Sequence, residues 1–211
     1  MRKVILLGDS ICGGYQPVVE RILAGAFEVW RPKLQPGTTA ATSNGTTTFV
    51  LSRLDDWAIN RPADVIHLNC GLHDIVLEKD GHHWVDIEAY AANVRRILQR
   101  LKNETKARII WATTTPIIEE RLVAYVRREE DVRRYNAVAV QAAKEQGAEV
   151  NDLCAVVMKA GKERCICPDG VHMVDFGNEL LGEAVAHVLS SEMNAGNATG
   201  AKRKGAAVDE A

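Results

Sequence analysis

A serine hydroxyl attacks a carbonyl only when a base removes its proton, and that base must be held in orientation by a third group. The chain begins MRKVILLGDSICGGY, so an apolar run ends at once in Gly8-Asp9-Ser10. Near the other end, CPDGVHM sets Asp169 three residues before His172 in a turn-like stretch. In a tight turn the first and fourth side chains can meet. Asp169 would then hold one ring nitrogen of His172 and leave the other to take the proton of Ser10. Such an Asp-x-x-His pair gains its meaning from the serine at the far end of the chain. Attack would also create an oxyanion, which needs donors aimed where the charge develops. The backbone N–H of Ser10 is one candidate. The amide of Gly45, with no Cβ in the way, is a second, and a ring N–H of His73 is a third.

Other reactive side chains read as structural. Cys12 and Cys70 follow strands near the same rim, but no histidine pairs with either by spacing, so each is expected to be a small apolar filler. Cys165-Ile-Cys167 lacks the two-residue spacer of zinc knuckles and thioredoxin motifs. His82 and His83 project in different directions without an acidic partner at ligand spacing and read as a surface loop. His67, inside a strand, and His187, on the last helix, read as packing or surface residues. Asp9 is expected to brace its loop by hydrogen bonding rather than to act as the base.

The elements that must position these groups follow from hydrophobic periodicity. Residues 3–7, Phe27–Trp30, 63–70, 108–113 and 149–153 read as strands, the first apolar on both faces. Helices are expected after the Gly13-Gly14 pair, with Pro17 in the first turn and Gly25 near the C-cap, and over 49–57, 86–102, 127–146 and 176–189. Strands alternating with helices imply a mainly parallel sheet covered on both faces. Ligands of such sheets bind beyond the carboxyl ends of the strands. Gly8-Asp9-Ser10, Gly71-Leu72-His73-Asp74 and the threonines at 113–115 should therefore crowd one rim.

Length and composition set the outer bounds. The 211 residues suit one α/β domain, read as residues 1–189, with an Ala/Gly/Asn/Lys-rich tail at 190–211 expected to be disordered. A net charge of −2 gives no global basic field, so neither nucleic acid nor a membrane surface is an expected partner; the partner is a small molecule. The first residues are too short an apolar run for a secretory signal, no stretch is long enough to span a bilayer, and five cysteines lack paired secretory spacing. The expected location is the cytoplasm.

Four blocks, in order, carry a resemblance. Gly8-Asp9-Ser10-Ile11 resembles the GDSL block of the SGNH hydrolases, and Gly45 sits where that family's second-block glycine is expected. Gly71-Leu72-His73-Asp74 looks like its G-x-N-D block, and Asp169-Gly170-Val171-His172 is similar to its D-x-x-H block. The resemblance implies a three-layer α/β/α, flavodoxin-like fold with Ser10 as nucleophile, His172 as base and Asp169 orienting the histidine. It implies esterase or lipase-like chemistry with no metal or organic cofactor. One position departs: His73 stands where the family has asparagine, replacing a permanently neutral amide donor with one that depends on tautomer and charge.

The expected activity is hydrolysis of a carboxylic ester, with a short acyl group such as acetyl leaving a small or carbohydrate-like alcohol. The Thr-rich stretches at 38–48 and 113–115 are compatible with such an alcohol. Lysophospholipase or thioesterase activity fits the same mechanism. A binding module that kept the fold and lost turnover is the reading from another class.

Overall fold

The computed structural model describes residues 1–32, 45–123 and 125–201. Ser43, Asn44 and most of the polar stretch 38–48 lie outside them, as do residues 202–211 of the tail. Five strands form one sheet: β1 (Arg2–Leu7), β2 (Phe27–Trp30), β3 (Val65–Asn69), β4 (Arg108–Ala112) and β5 (Glu149–Asn151). Their order is β2-β1-β3-β4-β5 and every pairing is parallel. With all strands pointing the same way, the loops after β1, β3, β4 and β5 open on one rim. The fold is thus the expected α/β one.

Helices cover both faces. On one, α1 (Ser10–Ile22) packs against α7 (Asp175–Ala201), which also meets α5 (Leu153–Ala160) and the short α6 (Lys162–Cys165). On the other, α3 (Ile87–Glu104) packs between α2 (Thr47–Leu54) and α4 (Glu129–Gln146). Residues 4–7 of β1 and all of β3 are buried because both faces are covered, β3 including the polar His67 and Asn69. Leu6, Val65, Ile66, Trp111 and Tyr90 are fully enclosed between the layers. Among the described residues no helix is long and apolar enough to cross a membrane.

Several boundaries differ from the sequence reading. The first helix starts at Ser10 rather than near Pro17, because Asp9 caps it, its side chain accepting from Ile11 N at 2.9 Å. Pro17 therefore lies inside the helix, where it forfeits one backbone bond to Gly13. α5 and α6 do not show in the sequence pattern, since their four to eight residues are too short for a full amphipathic period. The last helix runs on to Ala201, past Leu189, with no proline to stop it; Leu189 is the last buried hydrophobic side chain among those described.

The α1–α7 contact decides which residues meet. A Cβ on Gly14 would overlap the side chain of Asn178, and one on Gly182 would overlap Val18, so the two helices lie closer than larger residues allow. Ser10 opens α1 and His172 lies just before α7. Close packing of these helices brings together two ends of the chain.

Candidate active site

Ser10 is the first helical residue after β1, exposed, and its hydroxyl lies 2.8 Å from His172 Nε2. The other ring nitrogen, Nδ1, is 2.7 Å from Asp169 Oδ2. Asp169 Oδ1 accepts from the backbone N–H groups of Val171 (2.9 Å) and His172 (3.0 Å). The two oxygens of this carboxylate thus act separately, Oδ1 building the turn and Oδ2 orienting the ring. Burial raises the Asp169 carboxyl, but the hydrogen bonds from Val171 and His172 outweigh it, leaving the group below the usual carboxylate range and charged at neutral pH.

The turn is fixed by its glycine. Gly170 has a φ of 79° and donates its N–H to Cys167 O at 3.0 Å. A Cβ there would stand 2.6 Å from Ile118 O, so both conformation and space call for glycine. A second bond, Cys167 N to His172 O at 2.7 Å, closes the loop around the histidine.

His73 lies across the rim on the loop after β3. Gly45 packs flat on its ring, and a Cβ at Gly45 would overlap the imidazole. Nδ1 of His73 is sealed in without a partner, whereas Nε2 is not among the sealed atoms. Burial lowers the pKa of His73; Arg127 and His172 push the same way, and Asp9 opposes them. A neutral ring presenting Nε2–H can therefore serve as a donor at the rim. Ser10 N, at the start of α1, is one of the amides that a helix leaves without an internal partner.

Asp74, a member of the third block to which the sequence reading assigns no role, ties the start of α2, two residues after Gly45, to the loop that carries His73. It is fully buried and accepts from Thr47 N at 2.9 Å and Thr47 Oγ1 at 2.5 Å. Cys70 donates its thiol to Gly45 O at 3.2 Å. Burial raises the Asp74 carboxyl to about 7, partly offset by the Thr47 bonds. Nothing in the local sequence marks Thr47 as its partner, because the pairing is made by tertiary packing.

The remaining groups sort clearly. Burial pushes the Cys12 thiol up to about 12 and Cys70 well above its ordinary value, so neither is a ready nucleophile. His67 is buried in β3, its ring 3.2 Å from Asn151 Nδ2. His83 is a correction: it is not merely a surface residue, since its Nε2 lies 3.0 Å from the buried Asp131, which reaches it from α4. Among the described residues no group of three potential ligands could hold a metal ion.

The threonines are a second correction. At 113–115 all three are buried. Thr113 Oγ1 donates to Asp152 and Thr114 Oγ1 to Cys70 O. Thr46 caps α2 and Thr48 accepts from Asn93. Among the described residues the hydroxyls of Thr113, Thr114, Thr46 and Thr48 thus serve the fold, while Thr115 Oγ1 is buried without a partner.

A family model, the GDSL-like lipase/acylhydrolase family, matches residues 6–180. The chain belongs to that family. It is a carboxylic-ester hydrolase. Among curated proteins, none matches the chain in sequence. Solved structures share its fold. A lipase/acylhydrolase from Enterococcus faecalis is 21% identical, with a TM-score of 0.73 over 91% of this chain and 97% of the other. The acetyl xylan esterase AlAXEase is 20% identical, with a TM-score of 0.70 over 87% and 97%. Axe2, an acetylxylan esterase from Geobacillus stearothermophilus, is 21% identical, with a TM-score of 0.69 over 87% and 92%.

Proposed function

We propose that this hydrolase removes a short acyl group, such as acetyl, from a small or carbohydrate-like alcohol through a Ser10–His172–Asp169 relay. The observation that carries the proposal is the pair of contacts about one imidazole, 2.8 Å to Ser10 Oγ and 2.7 Å to Asp169 Oδ2. Ser10 attacks the acyl carbon as its proton passes to His172 Nε2, while Asp169 holds Nδ1–H and steadies the imidazolium. The negative oxygen is received by Ser10 N–H, the Gly45 amide and His73 Nε2–H. His172 then gives its proton to the departing alkoxide, leaving an acyl-serine. Water, deprotonated by the same nitrogen, releases the acid and restores Ser10.

Two features support a short acyl group: Ser10 and His172 both lie open to solvent, and two of the proteins sharing the fold are named acetylxylan esterases. The exposed apolar side chains Val123 and Val126 favour a second reading, a longer acyl chain. Five free cysteines, three of them buried, support a reducing compartment, the cytoplasm.

Rates on 4-nitrophenyl esters of rising chain length, beside acetylated xylo-oligosaccharides, test the reading. The highest kcat/KM is expected on acetate, and release of acetate from the sugars would confirm the alcohol. A maximum at long chains would overturn the acetyl reading in favour of a lipase-like one.

A further inference from the structure

The segment after β4 joins the two sides of the site. Ile118 N donates to Gly170 O at 2.9 Å, and Leu122 packs against Gly170, in the turn that carries Asp169 and His172. At the other end, Arg127 Nε donates to Leu72 O at 2.6 Å, next to His73. Tyr125 stacks edge-on against Trp84 with centroids 5.3 Å apart, and Trp84 lies 6.3 Å from the His73 ring. Glu119, Leu122, Val123, Tyr125, Val126, Arg127 and Arg128 line a pocket of about 230 Å³ that is open to solvent on one side.

One lining residue is unusual for a site of this kind. Arg127 is only 5% exposed, yet the Leu72 carbonyl is its one hydrogen-bond partner among the described residues. No carboxylate there accepts from its terminal nitrogens. Asp9 attracts it from the start of α1 without bonding to it, and Asp9 Oδ2 is itself buried and unpartnered. Glu119, the one carboxylate lining the pocket, is engaged at the start of α4, accepting from Glu129 N at 3.0 Å. The guanidinium lies over the Tyr125 ring, 5.6 Å from its centroid, but no carboxylate hydrogen-bonds its planar fork, and an incoming carboxylate matches that fork. Leu122, Val123, Tyr125 and Val126 supply apolar walls around that charge.

We propose that this pocket receives the alcohol part of the ester and that Arg127 selects there for an alcohol bearing a carboxylate. The inference rests on the esterase reading, in which His172 protonates the leaving oxygen. The turn holding His172 packs on this segment through Gly170, which puts the pocket on the same side of the site as the group that protonates the alcohol. The volume fits a small hydroxy acid rather than a polymer segment.

The test compares 4-acetoxybenzoate with its neutral counterpart 4-acetoxybenzamide. The wild-type protein is expected to favour the benzoate, and Arg127→Gln to cut that preference ratio by about tenfold or more, the worth of a charge-assisted hydrogen bond. Arg127→Lys, which keeps the charge without the fork, should fall between, with thermal melts run on each variant. Calorimetry of the wild-type protein with 4-hydroxybenzoate and 4-hydroxybenzamide reads the pocket without turnover; tighter binding of the carboxylate is expected. Equal binding of the two, or an unchanged ratio in Arg127→Gln, would overturn the proposal. Hydrolysis of both esters with no charge preference would sink the pocket alone. Arg127-dependent binding without hydrolysis would sink the esterase reading alone.

Discussion

Replacing Asp169 with asparagine separates the two roles of that carboxylate. The asparagine oxygen can still accept from Val171 N and His172 N, the bonds of 2.9 and 3.0 Å that shape the turn. Its amide, however, then faces His172 Nδ1 as a donor where Oδ2 stood at 2.7 Å. The ring must adopt the opposite tautomer, with Nε2–H directed at Ser10, and can no longer accept its proton. For a fully buried aspartate the same exchange costs about 10⁴ in kcat. Here the side chains of His172 and Asp169 are 50% and 44% exposed, so water competes for the ring and screens the charge. The expected loss in Asp169→Asn is accordingly about 10²–10³-fold in kcat. Its unfolding midpoint should stay near that of the wild type, whereas Asp169→Ala should also lose about 1–2 kcal/mol of stability with the turn acceptor. Steady-state hydrolysis of 4-nitrophenyl acetate, beside urea unfolding, measures both. A folded Asp169→Asn protein within about threefold of wild-type kcat would refute the tautomer argument.

Three further outcomes follow from the same geometry. His172→Ala should lower kcat by about 10⁴ and His73→Ala by about 10², with His73→Asn recovering most of the second loss; stopped assays on one ester rank them. Gly45→Ala should displace the His73 ring and cost about tenfold or more in kcat with little change in KM. Asp74 links folding to pH with a definite sign. Its folded pKa of about 7 exceeds the unfolded value of 3.8, so its stabilising contribution is full below pH 3.8 and is lost as pH rises through 7. Asp74→Asn should therefore gain stability relative to wild type between pH 4 and 7, on the order of a few kcal/mol, read by denaturant titration at each pH. A constant difference would exclude a raised Asp74.

Much of this site is legible in the sequence because its chemistry is local. Gly8-Asp9-Ser10 follows an uninterrupted apolar strand, and Asp169 and His172 share one four-residue turn, so each half announces its own geometry. β1 is legible for the same reason: its residues 4–7 are buried on both faces and read as an apolar run. What escapes are groups whose meaning lies in tertiary contacts. Thr47 matters because it meets Asp74, 27 residues away. Arg127 bonds a carbonyl 55 residues away and looks in sequence like any surface arginine before a helix. The threonines at 113–115 mislead for the converse reason, since composition shows hydroxyls but not that all three are buried and that Thr113 and Thr114 are already engaged.

The central claim is that Ser10 is an activated nucleophile. Labelling with a fluorophosphonate, followed by peptide mass spectrometry, tests it most directly. One adduct on Ser10 is predicted, formed rapidly in the wild type and far more slowly in His172→Ala. Folded wild-type protein that takes no label, or takes it on another residue, would contradict the claim.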